Sequence, residues 1–122
     1  MGSSMNSRIT DPDCLFCKIV AGQLPATVVA DEDNVLAFRD IDPKAPLHVL
    51  VIPKDHHADV NTLAHADGAT LAELVRLGSR IAADEAGGEF RLVFNTGPSS
   101  GQSVFHVHGH VLGGRDMGWP PG

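Results

Sequence analysis

The sequence lacks long apolar runs, clustered positive charge and more than two cysteines. No stretch of its 122 residues is apolar for long enough to cross a membrane, and no secretory signal segment is visible. The nine Lys and Arg residues are scattered, and the formal net charge of −6 argues against binding along a nucleic-acid backbone. These absences predict a soluble, cytoplasmic protein without nucleic-acid or membrane partners. Any phosphate that it binds should belong to a small ligand held by imidazoles and backbone amides.

The length fits one domain with a single core. Residues 1–10 show no periodicity, and we interpret them as an expression remnant followed by a flexible lead, which leaves residues 11–122 for the domain. The tail "MGWPPG" contains two prolines and two glycines, which exclude regular structure.

Hydrophobic periodicity predicts five strands and two helices. The long helix follows the i, i+3, i+4, i+7 rule, with Gly78 on its apolar stripe, where a missing side chain would let the helix approach a sheet. The predicted elements are a short helix over 14–21, a hairpin over 27–40, a strand over 48–54, the long helix over 68–88, and strands over 89–95 and 104–112. This order predicts an α+β domain built on a five-stranded, largely antiparallel sheet.

Three histidines, His106, His108 and His110, alternate along the last predicted strand. On a strand they would form a row on one face, with about 6.6 Å between successive Cα atoms, while Phe105 and Val107 would face the core. Three aligned imidazoles directly after a Gly/Ser-rich loop indicate a functional site.

Two chemistries are open for this row. Imidazole is a common metal ligand, and it is also a nucleophile and proton carrier at phosphate sites. The preceding loop, residues 99–103, offers hydroxyl and amide donors for phosphoryl oxygens, and no carboxylate accompanies the row as a ligand. These surroundings favour the phosphate site for at least two of the three histidines.

Cys14 and Cys17 form a C-x2-C pair, the usual first half of a zinc site. A structural zinc needs two further ligands. Two buried free thiols are the alternative, and a redox-active pair is disfavoured because no strand precedes the cysteines.

The segment "GQSVFHVHGHVLGGRDMGWPPG" resembles the C-terminal motif of the histidine triad (HIT) superfamily, and its ending is similar to that of the purine nucleoside phosphoramidase branch. The resemblance extends upstream through "FCKIVAGQLPA" and "VLAFRDIDPKAPLHVLVIPKDH" and covers nearly everything after residue 13. It implies a HIT-like fold and a nucleotide-binding hydrolase that cleaves nucleoside 5′-phosphoramidates or acyl-adenylates through a nucleotidyl-histidine intermediate, releasing AMP or GMP. A regulatory or scaffold protein with incidental turnover stays open as an alternative. A dinucleoside polyphosphate hydrolase is disfavoured by the ending.

The resemblance also implies roles for individual catalytic residues. His108 matches the nucleophile that attacks the α-phosphorus, with a proton kept on its other ring nitrogen. His110 is expected to contact the phosphoryl oxygens, and His48 to lie behind the triad. Ser103 matches a position that faces the α-phosphate and the leaving group.

The expected ligand is a purine nucleoside monophosphate or its phosphoramidate or acyl conjugate. Asp40 matches the carboxylate that accepts the ribose hydroxyls. The base pocket would be formed by Phe16, Ile19, Leu24, Phe38 and Ile41. The phosphate side would be formed by Asn95, Gly101, Gln102 and Ser103, together with His108 and His110.

Some bacterial members of the superfamily complete a C-x2-C pair with two histidines that correspond here to His56 and His106, with His57 as a possible substitute. The resemblance therefore implies a structural zinc held by Cys14, Cys17, His56 and His106. The metal, instead of a hydrogen bond, would then orient His106. The resemblance further implies a homodimer with Trp119 near the partner's active site.

Overall fold

The computed structural model describes residues 8–122, and the expectation for residues 1–7 lies outside the described part of the chain. Ile9, which was expected to belong to a flexible lead, is held by the domain. Its N–H donates to Asp55 Oδ1 at 2.9 Å, and its carbonyl accepts from the N–H of His56 at 2.8 Å. The region that packs on the domain therefore begins before residue 11.

The described residues form one five-stranded sheet with three helices and a short 3₁₀ turn. The sheet order is β1-β2-β3-β5-β4, and every neighbouring pair is antiparallel, which confirms the predicted α+β architecture. The elements are α1 (Leu15–Val20), β1 (Val28–Asp31), β2 (Val35–Arg39), β3 (Leu47–Pro53), α2 (Val60–Ala66), α3 (Gly68–Glu85), β4 (Phe90–Val93), the turn Pro98–Ser100 and β5 (Gly109–Gly113). No helix among the described residues has both the length and the apolarity that a membrane crossing requires.

The central strand β3 is buried along its whole length because both faces of the sheet are covered. Its residues alternate between the two faces. Val49 and Val51 belong to the core under α3, whereas Leu50 and Ile52 belong to a second core under α1. The face under α1 is the one that also carries the site residues of β3 and β5.

The helix α3 lies close to the sheet, as its glycine predicted. A Cβ atom at Gly78 would be only 3.0 Å from Val111 Cγ2 of β5. A larger side chain would therefore push the helix away from the strand that carries the last histidine.

The helix α2 was not predicted. Its signal is Asp59, whose carboxylate accepts the N–H of Thr62 at 2.8 Å as an N-cap, followed by apolar residues at Val60 and Leu63. The helix has only seven residues, too few for a periodic pattern to stand out.

The prediction of the last strand was too long. Pairing between β3 and β5 ends at Val51 and Gly109, so His106 and His108 precede the strand. His108 and His110 remain neighbours, with ring centroids 5.0 Å apart. Pro53 closes β3 without an N–H to donate, and its carbonyl accepts a side-chain hydrogen bond from His106. Phe105, which was expected to face the core, is 48% exposed.

Candidate active site

The tautomer of His108 is fixed by the backbone. Its Nδ1 lies 2.8 Å from the carbonyl oxygen of His106, and because a carbonyl can only accept, Nδ1 carries the hydrogen. Its Nε2 therefore keeps a free lone pair. The edge of Phe16 packs against the ring, with centroids 5.1 Å apart, so the imidazole is positioned by an aromatic contact as well.

A second pair of imidazoles lies beside it. The N–H of Lys44 donates to His48 Nδ1 at 2.9 Å, so neutral His48 carries its hydrogen on Nε2. That hydrogen points to His110 Nδ1 at 3.0 Å, and Asp40 Oδ2 lies 3.4 Å from the same Nε2. His110 accepts at Nδ1 and therefore presents an N–H at Nε2, which suits a contact with a phosphoryl oxygen.

The three imidazoles of the site are neutral at physiological pH. Burial, together with the neighbouring His108 and His48 and against the opposing effect of Asp40, lowers the pKa of His110 to about 4. Burial also lowers the pKa of His108 and of His48 from their ordinary values. Neutral His108 is the form in which a nucleophilic lone pair is available.

A cavity of about 740 Å³ opens in front of His108. Asp40 and Ser103 lie on its wall with His110. The structure brings to this cavity all five residues expected around a base, namely Phe16, Ile19, Leu24, Phe38 and Ile41. Ile41 is fully exposed at the rim, so its side chain would be covered only by a ligand or a partner.

In the loop before the histidines, Gln102 is buried and Gly101 is exposed. Gln102 is buried, and its amide is used by the backbone: Oε1 accepts from Gly97, and Nε2 donates to the carbonyls of Ala58 and Val104. It shapes the loop instead of facing the cavity. Gly101 is exposed with a φ of 94°, a left-handed conformation that favours glycine.

Asn95 lies in a second cavity of about 440 Å³ on the other side of His110. Asp40 and His110 belong to both cavities, whereas His108 lines only the first. The two cavities therefore meet at Asp40 and His110.

The structure brings together the four predicted metal ligands at the base of α1. Sγ of Cys14, Sγ of Cys17, Nδ1 of His56 and Nδ1 of His106 all lie within 4.8 Å of one another. Cys14 is the N-cap of α1, and its sulfur accepts the N–H of Cys17 at 3.3 Å. His57 is buried nearby but is not part of the cluster.

The spacing of these atoms fits a tetrahedral zinc ion. With Zn–N near 2.0 Å and Zn–S near 2.3 Å, such an ion holds two nitrogens about 3.3 Å apart, and a nitrogen and a sulfur about 3.5 Å apart. The two histidine nitrogens are 3.3 Å apart, and the three sulfur-to-nitrogen contacts measure 3.4, 3.4 and 3.5 Å. Burial raises the pKa of the Cys17 thiol to about 11, so a nearby cation is what would stabilise its thiolate.

His106 connects this cluster to the candidate nucleophile. Its Nε2 donates to the Pro53 carbonyl at 2.8 Å, which leaves the Nδ1 lone pair for a metal, while its own carbonyl holds His108. The expectation that metal would replace a hydrogen bond in orienting His106 is wrong, because the hydrogen bond is present. Such a hydrogen bond on the second nitrogen is common for metal-binding histidines.

Several residues of the two cavities were not predicted from the sequence. Thr27 and Leu50 line the first, and neither carries a motif that could have revealed it. Lys44, Arg91 and Arg115 line the second. Scattered in sequence, these cations were interpreted only as a sparse overall charge, and their proximity depends on the pairing of β5 with β3 and β4.

Comparisons with known proteins show the family and the fold of the chain. The HIT domain family matches residues 21–117. The fold is similar to the crystal structure of a HIT family hydrolase from Legionella pneumophila, with a TM-score of 0.86 and 50% identity over 90% of this chain and 100% of that one. A 14 kDa zinc-binding protein from Zea mays is 44% identical over 94% of this chain and 92% of its own length. The protein named adenylylsulfatase HINT1 from Arabidopsis thaliana is 42% identical over 93% of this chain and 79% of its own length.

Proposed function

The chain belongs to the HIT family, whose members include hydrolases, and we propose that it cleaves nucleoside 5′-phosphoramidates and acyl-adenylates and releases a purine nucleoside monophosphate. The Arabidopsis relative's name, adenylylsulfatase, supports an adenylyl group as the part of the substrate that the larger cavity holds. The cytoplasm is the expected location, because a site that uses the Cys14 and Cys17 thiols as metal ligands suits a reducing compartment.

The observation that carries the proposal is the free Nε2 of His108 at the wall of an apolar cavity. The hydrogen bond from its Nδ1 to a backbone carbonyl excludes the other tautomer. A site for nucleotide binding alone would gain more from an imidazole N–H directed at the phosphate than from a lone pair. The geometry therefore favours covalent catalysis over binding with incidental turnover.

In the proposed reaction, His108 Nε2 attacks the α-phosphorus, the bond to the leaving nitrogen or oxygen breaks, and a nucleotidyl-histidine forms. The Nδ1–H stays on the ring and stabilises the positive charge through the His106 carbonyl. His110 donates from Nε2 to a phosphoryl oxygen, and the Ser103 hydroxyl donates to the leaving atom. A leaving nitrogen takes up one proton from solvent as it departs. Water then attacks the phosphorus and gives one proton back to solvent, and His108 leaves with its lone pair restored.

We also propose that Cys14, Cys17, His56 and His106 hold a structural zinc ion. The donor set of two sulfurs and two imidazoles suits zinc, and four protein ligands leave no open position for substrate. When bound, the ion would supply a crosslink between α1, the segment after β3 and the segment before β5. The name of the maize relative, a zinc-binding protein, supports this assignment.

The test of the hydrolase proposal compares an adenosine 5′-phosphoramidate with a diadenosine polyphosphate, using wild-type protein and His108→Ala. We expect turnover of the phosphoramidate that drops by at least about 10³-fold in His108→Ala, while AMP binding stays within a few-fold. His65→Ala is the control, because His65 is exposed on α2 and lines neither cavity.

Each other outcome points to a different function. Preferred cleavage of the diadenosine polyphosphate would make the chain a dinucleoside polyphosphate hydrolase. Tight AMP binding with no turnover of either substrate would support the regulatory alternative. Retained turnover in His108→Ala would remove the nucleophile from that residue.

A further inference from the structure

Ser103 and His108 lie on a segment that the sheet does not hold. Pairing of β5 with β3 begins only at Gly109, so residues 102–108 lie outside the hydrogen-bond ladder. Among the described residues, no backbone N–H from Ser103 to His106 donates to a backbone carbonyl. Yet Ser103 and His108 reach the wall of the same cavity. Their positions must therefore be fixed by side-chain hydrogen bonds and by contacts outside the sheet.

Gln102 begins this segment, and its whole side-chain amide is used to hold it. Its Oε1 accepts the N–H of Gly97 at 2.9 Å, and its own N–H donates to the Gly97 carbonyl at 3.1 Å. Its Nε2 donates to the carbonyls of Ala58 at 2.7 Å and Val104 at 3.2 Å. One buried side chain thus joins the start of the loop, the segment before α2 and the residue two positions ahead.

These contacts act most directly on Ser103. It lies between Gln102 and Val104, and the carbonyl of Val104 is itself held by Gln102 Nε2. Displacing the buried amide would leave polar groups without partners, which is unfavourable. The backbone of Ser103 is therefore fixed on both sides, while its side chain stays exposed on the wall of the larger cavity.

The far end of the segment is fixed by other contacts. The N–H of Val107 donates to the His57 carbonyl at 2.8 Å, and the His106 carbonyl holds Nδ1 of the nucleophile at 2.8 Å. Neither contact involves the Gln102 amide. Loss of that amide should therefore displace Ser103 and leave the nucleophile in place.

The partners of Gln102 lie outside the edge strand β4 and the segment after β5. Ala58 precedes α2, and Gly97 and Val104 belong to the loop of Gln102 itself. The amide is buried within one chain, so a partner subunit docked on β4 would leave its hydrogen bonds unchanged. The arrangement is thus a property of the single chain.

Resting on the proposed function, we propose that Gln102 is a positioning residue for the hydrolysis and acts through Ser103. Its side chain holds the serine where the hydroxyl donates to the leaving atom while His108 Nε2 attacks the phosphorus. A misplacement of about 1 Å in such a group costs up to about 10²-fold in rate. Gln102 lines neither cavity, so binding of the nucleotide does not depend on it directly.

The experiment is a double-mutant cycle on the full chain with an adenosine 5′-phosphoramidate as substrate. The kcat, the KM and the dissociation constant of AMP are measured in wild-type protein, Gln102→Met, Ser103→Ala and the variant with both changes. Methionine is similar to glutamine in size and has no amide, so the change removes the hydrogen bonds with little change in packing. Gln23→Met is the matched control, because Gln23 is exposed and lines neither cavity.

We expect Gln102→Met to lower kcat by about 30-fold and to leave the dissociation constant of AMP within about twofold. Ser103→Ala should lower kcat by about 10²-fold, as the loss of one donor at a reacting atom does. Because Gln102 acts through Ser103, the double variant should be about as slow as Ser103→Ala alone. Gln23→Met should match wild type. Gln102→Asn keeps the amide on a shorter side chain, should lose less activity, and replaces Gln102→Met in the cycle if that variant does not fold.

The failures are distinguishable. If wild-type protein does not hydrolyse the phosphoramidate, the hydrolase proposal fails and the role of Gln102 fails with it. If Gln102→Met has the wild-type kcat, the positioning role is wrong and the hydrolase proposal stands. If the two losses multiply in the double variant, or if AMP affinity falls as far as kcat, Gln102 supports the fold of the site and does not act through Ser103. A wild-type kcat in Ser103→Ala would overturn the donor role of Ser103 and the positioning role together.

Discussion

Removing one sulfur from the cluster at α1 should cost the protein its zinc and much of its thermal stability. In Cys14→Ser the remaining Cys17, His56 and His106 offer three ligands, one fewer than a closed tetrahedral site uses. A bound ion would join segments that are 39 to 92 residues apart in sequence, so its loss would free α1 and the segment before β5 together.

The magnitude follows from linkage. A ligand present at a thousand times its dissociation constant stabilises the native state by about 4 kcal/mol. For a domain of this length 1 kcal/mol corresponds to roughly 4 °C in melting temperature, so the expected loss is roughly 15 °C. AMP affinity should fall less, because the phosphate-side residue His110 lies on β5, whose pairing with β3 does not depend on the cluster.

The assay combines metal analysis with thermal unfolding of wild type, Cys14→Ser and His65→Ala. We expect close to one zinc per wild-type and His65→Ala chain and almost none in Cys14→Ser, with affinity in wild type falling at acidic pH as the ligands protonate. Protein prepared without chelator that contains no zinc would refute the metal site. Equal melting temperatures for wild type and Cys14→Ser would refute the crosslink.

Three further predictions concern the ligand, pH and assembly. Asp40→Asn should raise KM for ribonucleotide substrates and reduce discrimination against 2′-deoxy analogues. If wild-type protein had the same kcat/KM for ribonucleotide and 2′-deoxy substrates, Asp40 would not be part of the ribose site. Because burial lowers the pKa of folded His110 to about 4 while an unfolded histidine titrates near 6.5, the unfolded state binds more protons between these values. Stability measured by urea unfolding should therefore fall from pH 7 to pH 4.5, and less steeply in His110→Asn; parallel pH profiles would contradict this. Sedimentation at micromolar concentration should give a dimer, because β4 is an edge strand and Trp119 is 83% exposed, and a monomer would speak against it.

The sequence predicted elements whose signals are local. The i, i+3, i+4 pattern of α3 and the alternation of β3 follow directly from side-chain periodicity, and the structure has both within a few residues of the predicted bounds. The close approach of α3 to β5 at Gly78 was also predictable, because a glycine on the apolar stripe of a helix leaves room for a neighbouring strand.

The last strand shows where local pattern stops being informative. Alternation from Val104 to Leu112 is typical of a strand, but a strand exists only where a neighbour can pair with it. Pairing with β5 stops at Val51 although β3 continues to Pro53, and the Pro53 carbonyl accepts from the His106 side chain across about fifty residues of sequence. The separate environments of His106 and His108 depend on this long-range contact, and the sequence alone presented the two as equivalent members of a row.

The candidate site could be predicted as a set of residues and not as a geometry. The resemblance to the HIT family indicated Asp40, His48 and His108, whereas the cavity that holds Arg91 and Arg115 had no motif of its own. Gln102 is the instructive case, because a polar residue in a Gly/Ser loop suggests a ligand contact. Its amide is instead satisfied by three backbone groups, which no sequence pattern signals.

The pairing of β3 with β5 has a consequence for how the molecule folds. It brings His48 to His110 across 62 residues of chain, and the cluster at α1 joins Cys14 to His106 across 92. Contacts of such long sequence separation form slowly, since the entropy of closing the chain is lost before the contact contributes. During refolding, helical signal should therefore return before catalytic activity. A fragment ending before β5 would contain most of the nucleoside cavity together with His106 and His108, but it would lack His110 and the strand that pairs with β3.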